Sequence, residues 1–209
     1  MSEPVRAPRE ALERLLAGNR RFREGTAPAR PPALDPALAS AAQRPFAVIL
    51  GCSDSRIPVE IVFDVGFGDL FVVRVAGNIV APSLVGSIEF AASQFGSRLV
   101  MVMGHSGCGA VGATVEALET GRGHGSDNIR AITDRIAPHI EGLVERVKDH
   151  DTLVREAVRA NVRASADHLR HGSPLLEELV RAGRVAVVGA EYDLVTGTVE
   201  VFDGVPLNG

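Results

Sequence analysis

Residues 99–109 read Leu99-Val100-Met101-Val102-Met103-Gly104-His105-Ser106-Gly107-Cys108-Gly109. The apolar run Leu99–Met103 does not alternate with polar residues, so it predicts a strand covered on both faces. The strand runs into a Gly-rich turn with a histidine and a cysteine in H-x-x-C spacing, and a helix follows from about Ala110 to Leu118. A second stretch repeats the pattern. Pro45-Phe46-Ala47-Val48-Ile49-Leu50 passes into Gly51-Cys52-Ser53-Asp54-Ser55-Arg56, and Ser55, Pro58 and Glu60 start a short helix. Leu70–Val75 and Arg184–Gly189 supply two more strands, and the alternation in Thr198–Phe202 predicts an antiparallel edge strand. Helices are expected over Ser83–Phe95, residues 129–149 and 151–171, and Leu175–Ala182. Buried strands alternating with helices define an α/β protein whose mostly parallel sheet is covered on both faces. In such sheets ligands bind beyond the carboxyl ends of the strands, where Cys52, Asn78 and His105 are expected.

Outside this alternation, Glu10–Phe22 has helical apolar spacing and Thr26–Pro36 reads as an extended Pro- and Ala-rich arm. Residues 1–40 are therefore expected to stand apart from the core and to wrap a partner subunit, and residues 41–209 to form a single α/β domain. Thr120–Asn128 reads as a surface loop. Net charge is −4, so no basic excess exists for a nucleic acid or an anionic membrane. The N-terminus lacks a secretory apolar region and no run reaches membrane-spanning length, which makes a cytoplasmic protein the expectation. The only cysteines are Cys52 and Cys108. Two cysteines exclude a disulfide framework, and in a reducing compartment they are buried hydrophobes, a metal pair, or a nucleophile with a bystander.

Both cysteines sit in Gly-rich turns after strands, and His105 accompanies one of them. If the two strands are neighbours, two thiolates and an imidazole surround one point. Such a Cys2His set leaves the fourth tetrahedral position of a zinc ion open, and soft thiolates favour zinc or Cu(I) over magnesium or calcium. The competing reading is two unrelated cysteines and a capping histidine. Asp54 could be a fourth ligand, or could pair with Arg56 and leave that position to water. As a surface ion pair alone the two would contribute at most about 1 kcal/mol.

Gly107-Cys108-Gly109-Ala110-Val111-Gly112 spells G-x-G-x-x-G, the dinucleotide fingerprint. The acidic residue expected about 20 positions on would be Asp127, which falls in the Gly-rich loop and not at a strand end. The glycines, Gly109 among them, are better read as letting the backbone pack around a metal and turn amides toward a small anion.

Cys52-Ser53-Asp54-Ser55-Arg56, the run Gly68 to Asn78, and Gly104-His105-Ser106-Gly107-Cys108-Gly109-Ala110-Val111 together resemble the β-class carbonic anhydrases. Leu16–Phe22 and Gly189–Gly197 also resemble that family. The resemblance implies a four-stranded parallel sheet with an antiparallel edge strand, assembled as a homodimer or a dimer of dimers. It implies one Zn2+ per chain, held by Cys52, His105 and Cys108, and an Asp54–Arg56 dyad. The implied reaction is reversible hydration of carbon dioxide to bicarbonate and a proton by hydroxide on the metal. Gln43, Phe71 and Phe90 match residues that line the substrate pocket, with Phe90 standing where several members carry tyrosine. Val75 replaces the usual asparagine before Ala76. Members with a bicarbonate switch carry a tryptophan where this chain has Ile49, so the resemblance is to the open, non-switched subgroup. Hydrolysis of carbonyl sulfide or carbon disulfide at the same site, and a non-catalytic zinc scaffold, are the alternatives.

Overall fold

All five expected strands join one sheet in the computed structural model, which describes residues 7–27, 42–123 and 125–204. They are β1 (Ala47–Gly51), β2 (Leu70–Arg74), β3 (Leu99–His105), β4 (Ala186–Tyr192) and β5 (Val199–Asp203), in the order β2-β1-β3-β4-β5. The β2–β1, β1–β3 and β3–β4 pairings are parallel, and β4–β5 is antiparallel. The non-alternating strands occupy the middle of the sheet, where every residue of β1 and β3 is buried. The parallel β1–β3 register sets Gly51 opposite Met103, so the turns that follow the two strands leave the same edge side by side.

Helices cover both faces. Ile49, Met101 and Val188 pack with residues of α1 (Pro8–Arg23) and α2 (Val59–Val62) on one side. Val48, Val100 and Val187 pack with α3 (Pro82–Gln94), α6 (His150–His171) and α7 (Pro174–Arg181) on the other. A third apolar cluster lies beyond the carboxyl ends of the strands. It joins Cys52 and Cys108 to α4 (Gly109–Thr120), α5 (Asp127–Arg146) and α6. None of the helices is long and apolar enough to cross a membrane, among the described residues.

Three expectations change. The opening helix does not stand apart. Ala11, Leu12 and Leu15 are buried in the core, and Asn19 donates to the carbonyls of Val62 and Gly197 and accepts from the Val199 amide. Residues 28–41, which hold most of the expected arm and the boundary at residue 40, lie outside the described residues. β3 continues through His105, because Gly104 and His105 pair with Glu191 and Tyr192 of the equally extended β4. The long helices break at residues 147–149, and the Asp149 side chain caps α6 by accepting from the Thr152 amide.

Gly104 permits the close approach of α6 to the sheet. A Cβ there would lie 2.6 Å from Val162 Cγ2 and 3.2 Å from Val158 Cγ1. Gly104→Ala should therefore destabilise the fold by about 1–3 kcal/mol through overpacking. In urea unfolding this reads as a lower midpoint at unchanged slope, and Val162→Ala in the same chain should recover part of the loss.

Candidate metal centre

Cys52 follows β1, His105 closes β3, and Cys108 directly precedes α4. Their ligand atoms all lie within 4.8 Å of one another, and all three residues are buried. The two Sγ atoms are 3.9 Å apart. His105 Nδ1 is 3.0 Å from the Ser106 carbonyl oxygen. A carbonyl can only accept, so Nδ1 carries the hydrogen and the lone pair of Nε2 is free. That Nε2 is buried without a hydrogen-bond partner. An orphaned imidazole nitrogen facing two adjacent thiols fits a soft divalent ion and leaves the acceptor unsatisfied without one.

The two thiols titrate as a pair. The Cys108 S–H beside it lowers Cys52 to about 4, and the resulting negative charge drives Cys108 well above the usual thiol range. A divalent cation removes this opposition by favouring both thiolates together.

Local backbone holds the ligands in place. Ala76–Asn78 form a 3-10 turn after β2, with Gly77 at φ 69°. The Gly77 amide points at Cys52 Sγ over 3.4 Å. Gly77 adopts the left-handed conformation that favours glycine, and a Cβ there would also crowd Ile136 Cδ1 at 2.9 Å and Ala110 Cβ at 3.1 Å. From α6, Asn161 Nδ2 donates to the Gly77 carbonyl over 2.7 Å, and Ser165 Oγ donates to that of Asn78 over 3.2 Å. Their i,i+4 spacing puts both on one helix face, a signal that sequence reading passed over because neither residue type stands out on an amphipathic helix. Arg74 was also missed as a site residue. It donates to the carbonyls of Cys52 and Asp54.

Asp54 lies over the cluster, with Oδ2 3.9 Å from His105 Nε2. Arg56 holds its carboxylate with Nε on Oδ1 at 2.9 Å, Nη2 on Oδ2 at 2.7 Å and its own amide on Oδ1 at 3.0 Å. These bonds keep Asp54 far below the usual carboxylate range. Gly109 is the first residue of α4, immediately after Cys108, where helix amides lack intrahelical partners. The remaining pocket candidates have these surroundings. Phe71 pairs with Val48, three residues before Gly51 on β1, and its ring is 6.0 Å from that of Phe95. Phe90 stacks edge-on against Phe95 at 5.3 Å and is 53% exposed. Gln43 is exposed, four positions before β1.

A Cys2His cluster beside an ionised carboxylate, at the carboxyl ends of a covered parallel sheet, can hold zinc and orient a small reactant. The carbonic anhydrase family model matches residues 47–199. The chain is 40% identical over 200 residues to a carbonic anhydrase of Mycolicibacterium smegmatis, with 95% of each covered. It is 36% identical over 201 residues to carbonic anhydrase 2 of Mycobacterium tuberculosis, covering 96% of this chain and 95% of that one. Its fold matches one of the tetrameric β-carbonic anhydrases of Sordaria macrospora with a TM-score of 0.70 at 25% identity, over 91% of this chain and 96% of that one. The chain belongs to the β-carbonic anhydrase family and is an enzyme of that class.

Metal analysis of the purified protein should find zinc, and Cys52→Ser or Cys108→Ser should each abolish its retention through dialysis. The chain holds no other cysteine to replace either one. Full zinc content in either variant would exclude that residue from the ligand set.

Proposed function

We propose that the chain catalyses zinc-dependent reversible hydration of carbon dioxide to bicarbonate and a proton, with one ion per chain held by Cys52, His105 and Cys108. The observation that carries this reading is the Asp54 carboxylate, clamped by Arg56 and only 3.9 Å from the imidazole nitrogen of the cluster. Zinc, when bound, supplies the Lewis acidity that brings the pKa of water toward neutrality and so provides a nucleophile at working pH. Two thiolates cancel the formal charge of the ion, so this donor set acidifies water less than three imidazoles would.

The chain's own groups supply orientation. Asp54 accepts a hydrogen bond from the attacking oxygen and turns its lone pair toward carbon dioxide. Arg56 bonds to both carboxylate oxygens, which keeps Asp54 ionised and fixes its orientation beside the cluster. The apolar wall of Val111, Val115, Ile136 and Ile140 excludes bulk water from the ligand side of the site. The Gly109 amide, at the start of α4, faces the anionic product.

Gln43, Phe71 and Phe90 belong to the proposed substrate pocket through a second copy of the chain. The exposure of Phe90 and Gln43 supports a pocket shared across a homodimer, alone or within a dimer of dimers. A reducing cytoplasmic setting suits two thiols that must stay free. Hydrolysis of carbonyl sulfide or carbon disulfide and a purely structural zinc site are less favoured. The relatives above carry the name carbonic anhydrase, and a complete carboxylate–guanidinium pair has no task in a structural site.

Four measurements test the reading. A stopped-flow carbon dioxide hydration assay should show activity that a zinc chelator removes. In the same assay kcat/KM should rise from pH 7 to 8.5. Asp54 is held ionised well below this window and adds no slope, so the rise reports deprotonation of water, and a fall would contradict the mechanism. Asp54→Asn should keep its zinc and lose about 10- to 100-fold in activity. Sedimentation should find the active species to be at least a dimer, and a fully active monomer would remove the second copy from the pocket.

A further inference from the structure

The loop between β1 and α2 carries a metal ligand, Cys52, and the dyad carboxylate, Asp54, two residues apart. Such a loop needs outside support, because a shift of about 1 Å at a catalytic group is enough to impair its chemistry. Arg74 ends β2 and lies directly opposite Gly51 in the parallel register. Its side chain reaches along the strand direction over the loop. Nε donates to the Cys52 carbonyl at 2.9 Å and Nη2 to the Asp54 carbonyl at 2.6 Å. The Asp54 carbonyl also accepts from the Ile57 amide at 3.2 Å, so the loop is tied on both sides of the carboxylate.

We propose that Arg74 is a positioning residue for the Asp54–Arg56 pair, its planar guanidinium chelating two carbonyls of the ligand loop and so setting the direction from which Asp54 meets the reactant. The proposal rests on the assignment of Asp54 to the reaction. The fork geometry is the essential property: a lysine carries the same charge but cannot bridge two carbonyls in one plane. Arg74 acts through the backbone, and the Asp54 carboxylate keeps its own partner in Arg56. The residue is invisible to a search for paired charges, because its acceptors are main-chain oxygens.

The test compares the parent enzyme, Arg74→Met, Arg74→Lys and Asp54→Asn, all loaded with zinc. Activity is measured beside the 15N NMR signal of the Arg56 Nε–H, which the Oδ1 bond protects from solvent exchange. Arg74→Met should keep its zinc and KM, lose about 10- to 100-fold in kcat, and lose protection of the Arg56 signal. Arg74→Lys should fall between parent and Met variant in both readouts. If Arg74→Met does not fold, the Lys variant decides by the same two measurements. An unchanged kcat with a protected Arg56 signal would overturn the proposal. So would loss of zinc in both variants, which would make Arg74 a support of the metal ligand alone. If the parent itself hydrates no carbon dioxide, the functional reading fails, while the Arg56 signal still decides whether Arg74 sets the dyad.

Discussion

The electrostatics of two sulfurs 3.9 Å apart in a buried pocket constrain the rest of the structure. Without a cation, one thiol ionises readily at the expense of the other. Burying a second negative charge beside the first is costly in a low-dielectric surrounding. A divalent ion would reverse that balance, and the orphaned Nε2 of His105 offers it a third donor. The fold has to bring these three groups together from two separate strands and keep water from their far side. The β1–β3 pairing does the first, and the cluster of α4, α5 and α6 side chains does the second.

Support for the ligands comes from main-chain contacts more than from charges. α6 lies close on β3 because Gly104 has no side chain. From there Asn161 and Ser165 hold the turn whose Gly77 amide faces Cys52. Arg74 grips the opposite side of the Cys52–Asp54 loop from the end of β2. The same helix is fastened to the antiparallel edge by Arg159, which donates to Glu191 at 2.7 Å and also pairs with Glu200. The ligand atoms are thus held by three neighbouring elements, and no single loop determines their positions.

Much of this was legible in advance for definite reasons. Buried parallel strands leave unbroken apolar runs, so β1 and β3 stood out, as did the cysteine and histidine at their ends. Asp54 and Arg56 were readable because they are close in sequence and opposite in charge. The misreadings share a cause. β3 was ended too early because Gly104 and His105 look like turn residues, yet pairing with β4 extends the strand through both. The opening helix reads as separate because its neighbours in sequence are an arm, while its contacts are with residues distant in sequence such as Phe46, Val62 and Gly197. The G-x-G-x-x-G spelling lies in a chain of the carbonic anhydrase family, and the cysteine inside it belongs to the cluster that could hold a metal.

The amino-acid sequence alone determined which segments are strands, the helices between them and the chemical identity of the candidate donors, because these follow from hydrophobic period and residue type. The tertiary structure decided which donors meet, which tautomer His105 adopts, and which residues support the loop from a distance. It also set the rings of Phe71 and Phe90 against Phe95. Those outcomes depend on register, on the approach of a helix to a sheet, and on hydrogen bonds to main-chain oxygens. Every residue carries the same main-chain oxygen, so sequence alone cannot mark the one that Arg74 or Asn161 will find.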